Sequence, residues 1–118
     1  MKQEDKELLL KDLCSRLPYG VKCIATSNGY ISYISSIESQ YNVVTFDNGR
    51  QEELCDIKPY LFPLSSMTEE QMNSLTKFVA NGIRGKNILY DWYNKNHFDY
   101  RGLIPKGLAN DATGLNIY

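Results

Sequence analysis

Val21-Lys-Cys-Ile-Ala-Thr26, the dipeptide Asn28-Gly29, and Tyr30-Ile-Ser-Tyr-Ile-Ser-Ser-Ile37 decide how this chain folds. Val21, Cys23 and Ala25 share one face at the two-residue period of a strand. Asn-Gly between two such runs is the strongest short hairpin signal, because both residues accept positive φ. The second run is rich in β-branched and aromatic residues, which suit a pleated, half-buried surface. Tyr41-Asn-Val-Val-Thr-Phe46 follows, Asp47-Asn48-Gly49 marks another tight turn, and Gln51 to Ile57 completes a fourth strand. Residues 19–64 therefore read as an antiparallel meander of four or five curled strands, a small open barrel or half-barrel.

Outward from the meander the pattern turns helical on both sides. Upstream, residues 1–18 hold a helix from about Glu4 to Leu17, with an acidic first turn and a stripe of Leu10, Leu13, Cys14 and Leu17. Pro18 stops it. Downstream, Pro59 and Pro63 hold Lys58 to Leu64 extended across the sheet. Residues 65–118 then form a helical part and tail. Thr68-Glu-Glu-Gln71 is a capping box, and Met72, Leu75, Phe78 and Val79 are the buried stripe expected of the helix it starts. Ile88, Leu89, Trp92 and Tyr93 supply the stripe of a shorter one. Gly102, Pro105 and Gly107 break the chain into turns, and the tail from Asn110 to Tyr118 shows no period. The expected class is α+β in one domain over residues 1–118.

Composition excludes several functions. The 118 residues are 42% hydrophobic and 23% charged, as in ordinary globular proteins. No apolar run approaches the roughly 20 residues of a membrane span. The charged N-terminal residues lack the apolar core of a secretion signal, so a cytoplasmic address is expected. Thirteen basic residues face 14 acidic ones, too even a balance for non-specific duplex binding. Cys14, Cys23 and Cys55 have neither disulfide nor zinc spacing and are expected as buried, reduced thiols.

Tyr90-Asp-Trp-Tyr-Asn-Lys-Asn-His-Phe-Asp-Tyr-Arg-Gly-Leu-Ile104 packs the only Trp, the only His, three Tyr and a Phe into one stretch. Aromatics with a polar tip, and Arg, are the residue types that dominate binding hot spots. Trp92, His97, Phe98, Tyr100 and Arg101 are thus the candidate contact residues for a protein partner, although Trp92 and Tyr93 equally fit the buried stripe of their helix. No nucleophile, base and orienting acid stand in a recognisable pattern. Neither glycine-rich phosphate signature is present, so no enzyme activity, cofactor or metal is expected.

Two resemblances add to this reading. Gly20 to Ala25, Asn28 to Tyr33, Val44 to Gly49 and Glu52-Glu53-Leu54 resemble the strand rhythm of Tudor and related SH3-like barrels. In that family strand aromatics cage a methylated cation, which implies such a role for Tyr30, Tyr33 and Phe46. Asn48 and Arg50 depart from the pattern at positions where the family commonly has Tyr and Asn. The same face, with Arg84 and Lys86, is the alternative site, for single-stranded nucleic acid or a nucleotide. Along the whole chain, Lys6 to Cys14, Arg16 to Lys22, Lys58-Pro-Tyr-Leu61, Ser65 to Glu70, Asp91-Trp92 and Asn96 to Ile104 resemble a family of small uncharacterised proteins of gut Bacteroidales. These are often encoded in prophages or mobile elements. That resemblance implies a small accessory protein of phage or mobile-element origin, and the expected function is binding a protein partner, as a factor that modulates a host or defence system.

Overall fold

The computed structural model describes the backbone of residues 1–81 and 85–118 and the side chains outside residues 81–87. Helix α1 (Gln3–Arg16) leads through a tight turn at Leu17–Tyr19 into strands β1 (Lys22–Ala25) and β2 (Ile31–Glu38). Strands β3 (Val43–Phe46), β4 (Gln51–Glu53) and β5 (Ile57–Pro63) follow. Then come helices α2 (Glu69–Asn81) and α3 (Gly85–Lys95) and two short strands, β6 (Phe98–Asp99) and β7 (Asn110–Asp111). The class is α+β, as the sequence suggests. Among the described residues no helix is long and apolar enough to cross a membrane.

The order β4-β3-β2-β1-β5 is antiparallel throughout, and the Asn28-Gly29 hairpin joins its two central strands. The connection is a four-residue loop, Thr26–Gly29, rather than a two-residue turn: Gly29 takes φ +76° and donates its N–H to the Ala25 carbonyl, Asn28 keeps negative φ, and Asn28 Oδ1 accepts from the Tyr30 N–H. A register shift between Ile34 and Ser36 bends β2 and curls the sheet. Strand β4 pairs only with β3, so the curled sheet stays open rather than closing into a barrel.

The proline-bounded segment after Ile57 is strand β5, and it is the hub of the sheet. One edge pairs with β1, and the other pairs in parallel with β6 and β7. The tail thus makes the sheet mixed. Two-residue strands are too short to leave a period in sequence, which is why the tail reads as irregular.

Two apolar clusters hold the layers together. The larger joins Leu9 and Leu13 of α1, the inward residues Val21, Cys23, Ile34, Val44 and Phe46, and Leu103 and Leu108 of the tail. The smaller joins Leu75, Trp92 and Phe98, with Phe62, Leu89 and Tyr93 against them.

Several expectations are corrected. On α1 the buried face is Leu9, Asp12, Leu13 and Arg16, so Cys14 is exposed. Cys55 is also exposed, and only Cys23 is the buried thiol expected of all three. The Thr68/Gln71 capping box forms reciprocally, at 2.9 and 3.1 Å. Of the stripe it introduces, however, only Leu75 is buried, while Met72, Phe78 and Val79 are exposed. Spacing places apolar residues on one helix face but does not supply an element to cover it.

Candidate functional site: the tyrosine and arginine cluster at the start of the tail

Helix α3 and the loop after it bring the aromatic stretch against the end of α1. Trp92 and Phe98 are buried to 4% and 1% exposure and lie flat on one another, centroids 5.6 Å apart and planes 7° apart. Both are core residues, which removes them from the candidate contact surface. Trp92 lies on the α3 stripe, and Phe98 is in β6, paired with Phe62 of β5.

His97 ends α3. Its φ of +65° turns the chain out of the helix, and its N–H donates to the Asn94 carbonyl. Its ring stacks on Tyr118 at 3.6 Å between centroids. The Tyr118 hydroxyl in turn donates to the Tyr60 carbonyl and accepts from the Lys22 N–H. His97 is therefore a fastening between α3, the tail and β5.

Burial, reinforced by the nearby Arg16 cation, pushes the His97 imidazole down to about 4. Unfolded, it titrates near 6.5. The folded state favours the neutral form, so the stability His97 contributes is complete above about pH 6.5 and is lost as pH falls toward 4. His97→Asn keeps a residue that tolerates positive φ and removes the titration. The stability gap between the parent and this variant should shrink between about pH 7 and about pH 4.5 in urea denaturation. A constant gap would remove His97 from the acid response.

Tyr100 and Arg101 remain at the surface, and a buried charge fixes them there. Asp12, with no exposure, accepts from Arg16 at 2.7 and 3.1 Å and from Arg101 at 2.9 Å. Arg16 is equally buried and donates to the Phe98 carbonyl at 2.6 Å. Arg101 also reaches the Ser15 hydroxyl. Both guanidinium groups sit over the Tyr100 ring, at 5.3 and 4.6 Å, and that ring stacks with Tyr90 and Tyr93. Asp99 holds the loop shape by accepting from the Leu103 and Ile104 N–H groups.

What remains open to solvent is a cleft of about 290 Å³ lined by Ser15, Tyr90, Asp91, Asn94, Tyr100 and Arg101. Asp12 and Ser15 come from an i, i+3 pair on α1 that the apolar stripe hides. The Asp12–Arg16 spacing is a sequence signal for an ion pair, but nothing in it announces burial.

The sheet face is a different matter. Phe46 pairs with Ile34 and both are buried, whereas the adjacent Tyr33 points to the opposite face and is exposed. Tyr30 packs edge-on against Phe46 at 5.4 Å. Tyr33 already carries the Lys22 ammonium at 4.8 Å from its centroid. These three aromatics therefore do not converge, and the cage the barrel resemblance implies is absent. Arg84 and the side chain of Lys86, the basic members of the alternative site, lie outside what the structure describes.

No family model, curated protein or solved structure matches this chain.

Proposed function

We propose that this chain is a non-enzymatic accessory protein that acts by binding a protein partner through the apolar face of α2. One observation carries the reading. Met72, Phe78 and Val79 are exposed at 50%, 39% and 43% on a helix whose start is fixed by its own capping box. Apolar anchors at helical spacing on a pre-ordered helix are the form in which helices enter apolar grooves of other proteins. Such a helix needs little ordering on binding, which favours affinity. The resemblance to Bacteroidales prophage and mobile-element proteins supports a host or defence protein as that partner. The strand order, with a single tight turn at Leu54–Asp56 between β4 and β5, supports an SH3-like half-barrel as the platform that carries α2.

The test replaces Met72, Phe78 and Val79 together with Gln, which keeps helix propensity and removes the apolar surface. Being exposed, these changes should leave unfolding free energy within about 1 kcal/mol of the parent. Partners co-purifying with the tagged parent from its own host should be lost from the variant. Undiminished capture by the folded variant would overturn the reading.

A further inference from the structure

We propose that the gap between β1 and β5 beside His97 is a binding slot for a tyrosine side chain, filled in this structure by the chain's own Tyr118 as a displaceable latch. The slot is independent of the α2 face.

Along β1 the peptide groups of successive residues face opposite neighbours. The Ala25 N–H donates to the Tyr30 carbonyl in the hairpin, and the Thr26 N–H donates to the Asp56 carbonyl just before β5. Odd-numbered residues of β1 therefore turn their peptide groups to β2 and even-numbered ones to β5. The register Ala25–Ile57, Ile24–Lys58 and Cys23–Pro59 continues to Lys22 opposite Tyr60. The Lys22 N–H should then donate directly to the Tyr60 carbonyl. Instead the Tyr118 hydroxyl stands between them, accepting from the Lys22 N–H at 2.8 Å and donating to the Tyr60 carbonyl at 2.8 Å. The Lys22 carbonyl lies 3.4 Å from the same oxygen. A side-chain hydroxyl thus replaces one rung of the ladder and satisfies both strands.

The rest of the slot fits the ring and the peptide that carries it. His97 stacks flat on the phenol, centroids 3.6 Å and planes 9° apart, and Phe62 packs tilted against it at 6.0 Å. Lys22 Nζ donates to the Ile117 carbonyl at 2.7 Å, which holds the peptide bond preceding the tyrosine. Aromatic walls with one N–H donor and one carbonyl acceptor select a ring that ends in a hydroxyl. A phenylalanine ring in the same place would leave both peptide groups unpaired.

The hold on the latch is local. The Ala112 N–H donates to the Leu61 carbonyl of β5, and from Thr113 to Asn116 every residue is exposed. The hydrogen bonds described for that run stay within the tail, from the Leu115 N–H to the Ala112 carbonyl and from the Thr113 N–H to Asp111 Oδ1. Among the described residues, the bonds that return it to the sheet are those of Ile117 and Tyr118. Segments with few buried contacts open at free energies well below that of global unfolding. The latch can therefore lift while the ladder and both apolar clusters stay formed.

Amide hydrogen exchange of nitrogen-15-labelled full-length protein tests the latch. The Lys22 amide should exchange at least about tenfold faster than that of Ile24, the next β1 amide facing β5, and should not respond to low urea. Tyr118→Phe keeps the ring and should speed Lys22 exchange at least about fivefold more while leaving Ile24 unchanged, as loss of one hydrogen bond predicts. Tyr118→Ala vacates the slot. N-acetyl-tyrosine amide added to that variant should shift the Lys22, Phe62 and His97 amides saturably and slow Lys22 exchange again. N-acetyl-phenylalanine amide should bind at least about fivefold more weakly. Lys22 exchange that follows Ile24 and global unfolding in urea would overturn the latch. Lys22 protection in Tyr118→Phe equal to the parent's would mean that the strands close without the hydroxyl, and would overturn the slot. Equal binding of the two probes, or no saturable binding, would overturn it as well.

Discussion

Asp12→Ala should lower the unfolding free energy by about 3–5 kcal/mol, because it strands a fully buried guanidinium. Asp12 is the acceptor that Arg16 and Arg101 share. Without it, among the described residues, Arg16 keeps the Phe98 carbonyl and Arg101 keeps Ser15. Arg101→Ala should cost much less, since its side chain is partly solvated and removing it leaves Asp12 still paired with Arg16. Urea denaturation of the two variants against the parent gives the comparison. Equal losses, or an Asp12→Ala loss below about 1 kcal/mol, would mean that solvent reaches Arg16.

Trp92→Ala should cost about 3–5 kcal/mol as well, by a different route. Trp92 anchors the smaller cluster through its flat contact with Phe98 and its edge contact with Tyr93. Truncation opens a cavity where α3 meets β6, which neighbouring aromatics fill only in part. Trp92→Phe retains most of the contact and should lose clearly less. A Trp92→Ala variant that melts with the parent would place the indole at the surface.

How much of this was legible in the sequence depends on how local each feature is. The Asn28-Gly29 hairpin and the Thr68/Gln71 box are written within a few residues of themselves, and both form, the hairpin through a four-residue loop with positive φ at Gly29 and not at Asn28. The two helical flanks and the meander follow from periodicity over longer windows. Period alone could not say which face of α1 is inward, since its buried stripe contains Asp12 and Arg16 beside Leu9 and Leu13. A buried ion pair looks like a solvated one until its surroundings are known. The exposure of Met72, Phe78 and Val79 was hidden for the complementary reason, that spacing does not reveal whether a neighbour exists. The aromatic stretch 90–104 stands out by composition, and its residues divide between core and surface. Trp92 and Phe98 face in, while Tyr90, Tyr100 and Arg101 line the cleft. Ser15 joins them from α1, a long way off in the chain, and no local pattern could have placed it there.

The hub position of β5 sets the order in which this protein can assemble. The β1–β2 and β3–β4 pairings are close in sequence and can form early, as hairpins do within microseconds. The β5 pairings join Pro59 to Cys23 on one side and Tyr60 to Asn110 on the other, so each closes a long loop before any contact rewards it. Seating β5 is therefore the slow event of folding. Until it happens, both long edges of the strand stay unpaired and can recruit another chain. Substitutions within β5 should act on how fast the native state is reached. Those on the α2 face, remote from that step, should leave the folding rate alone.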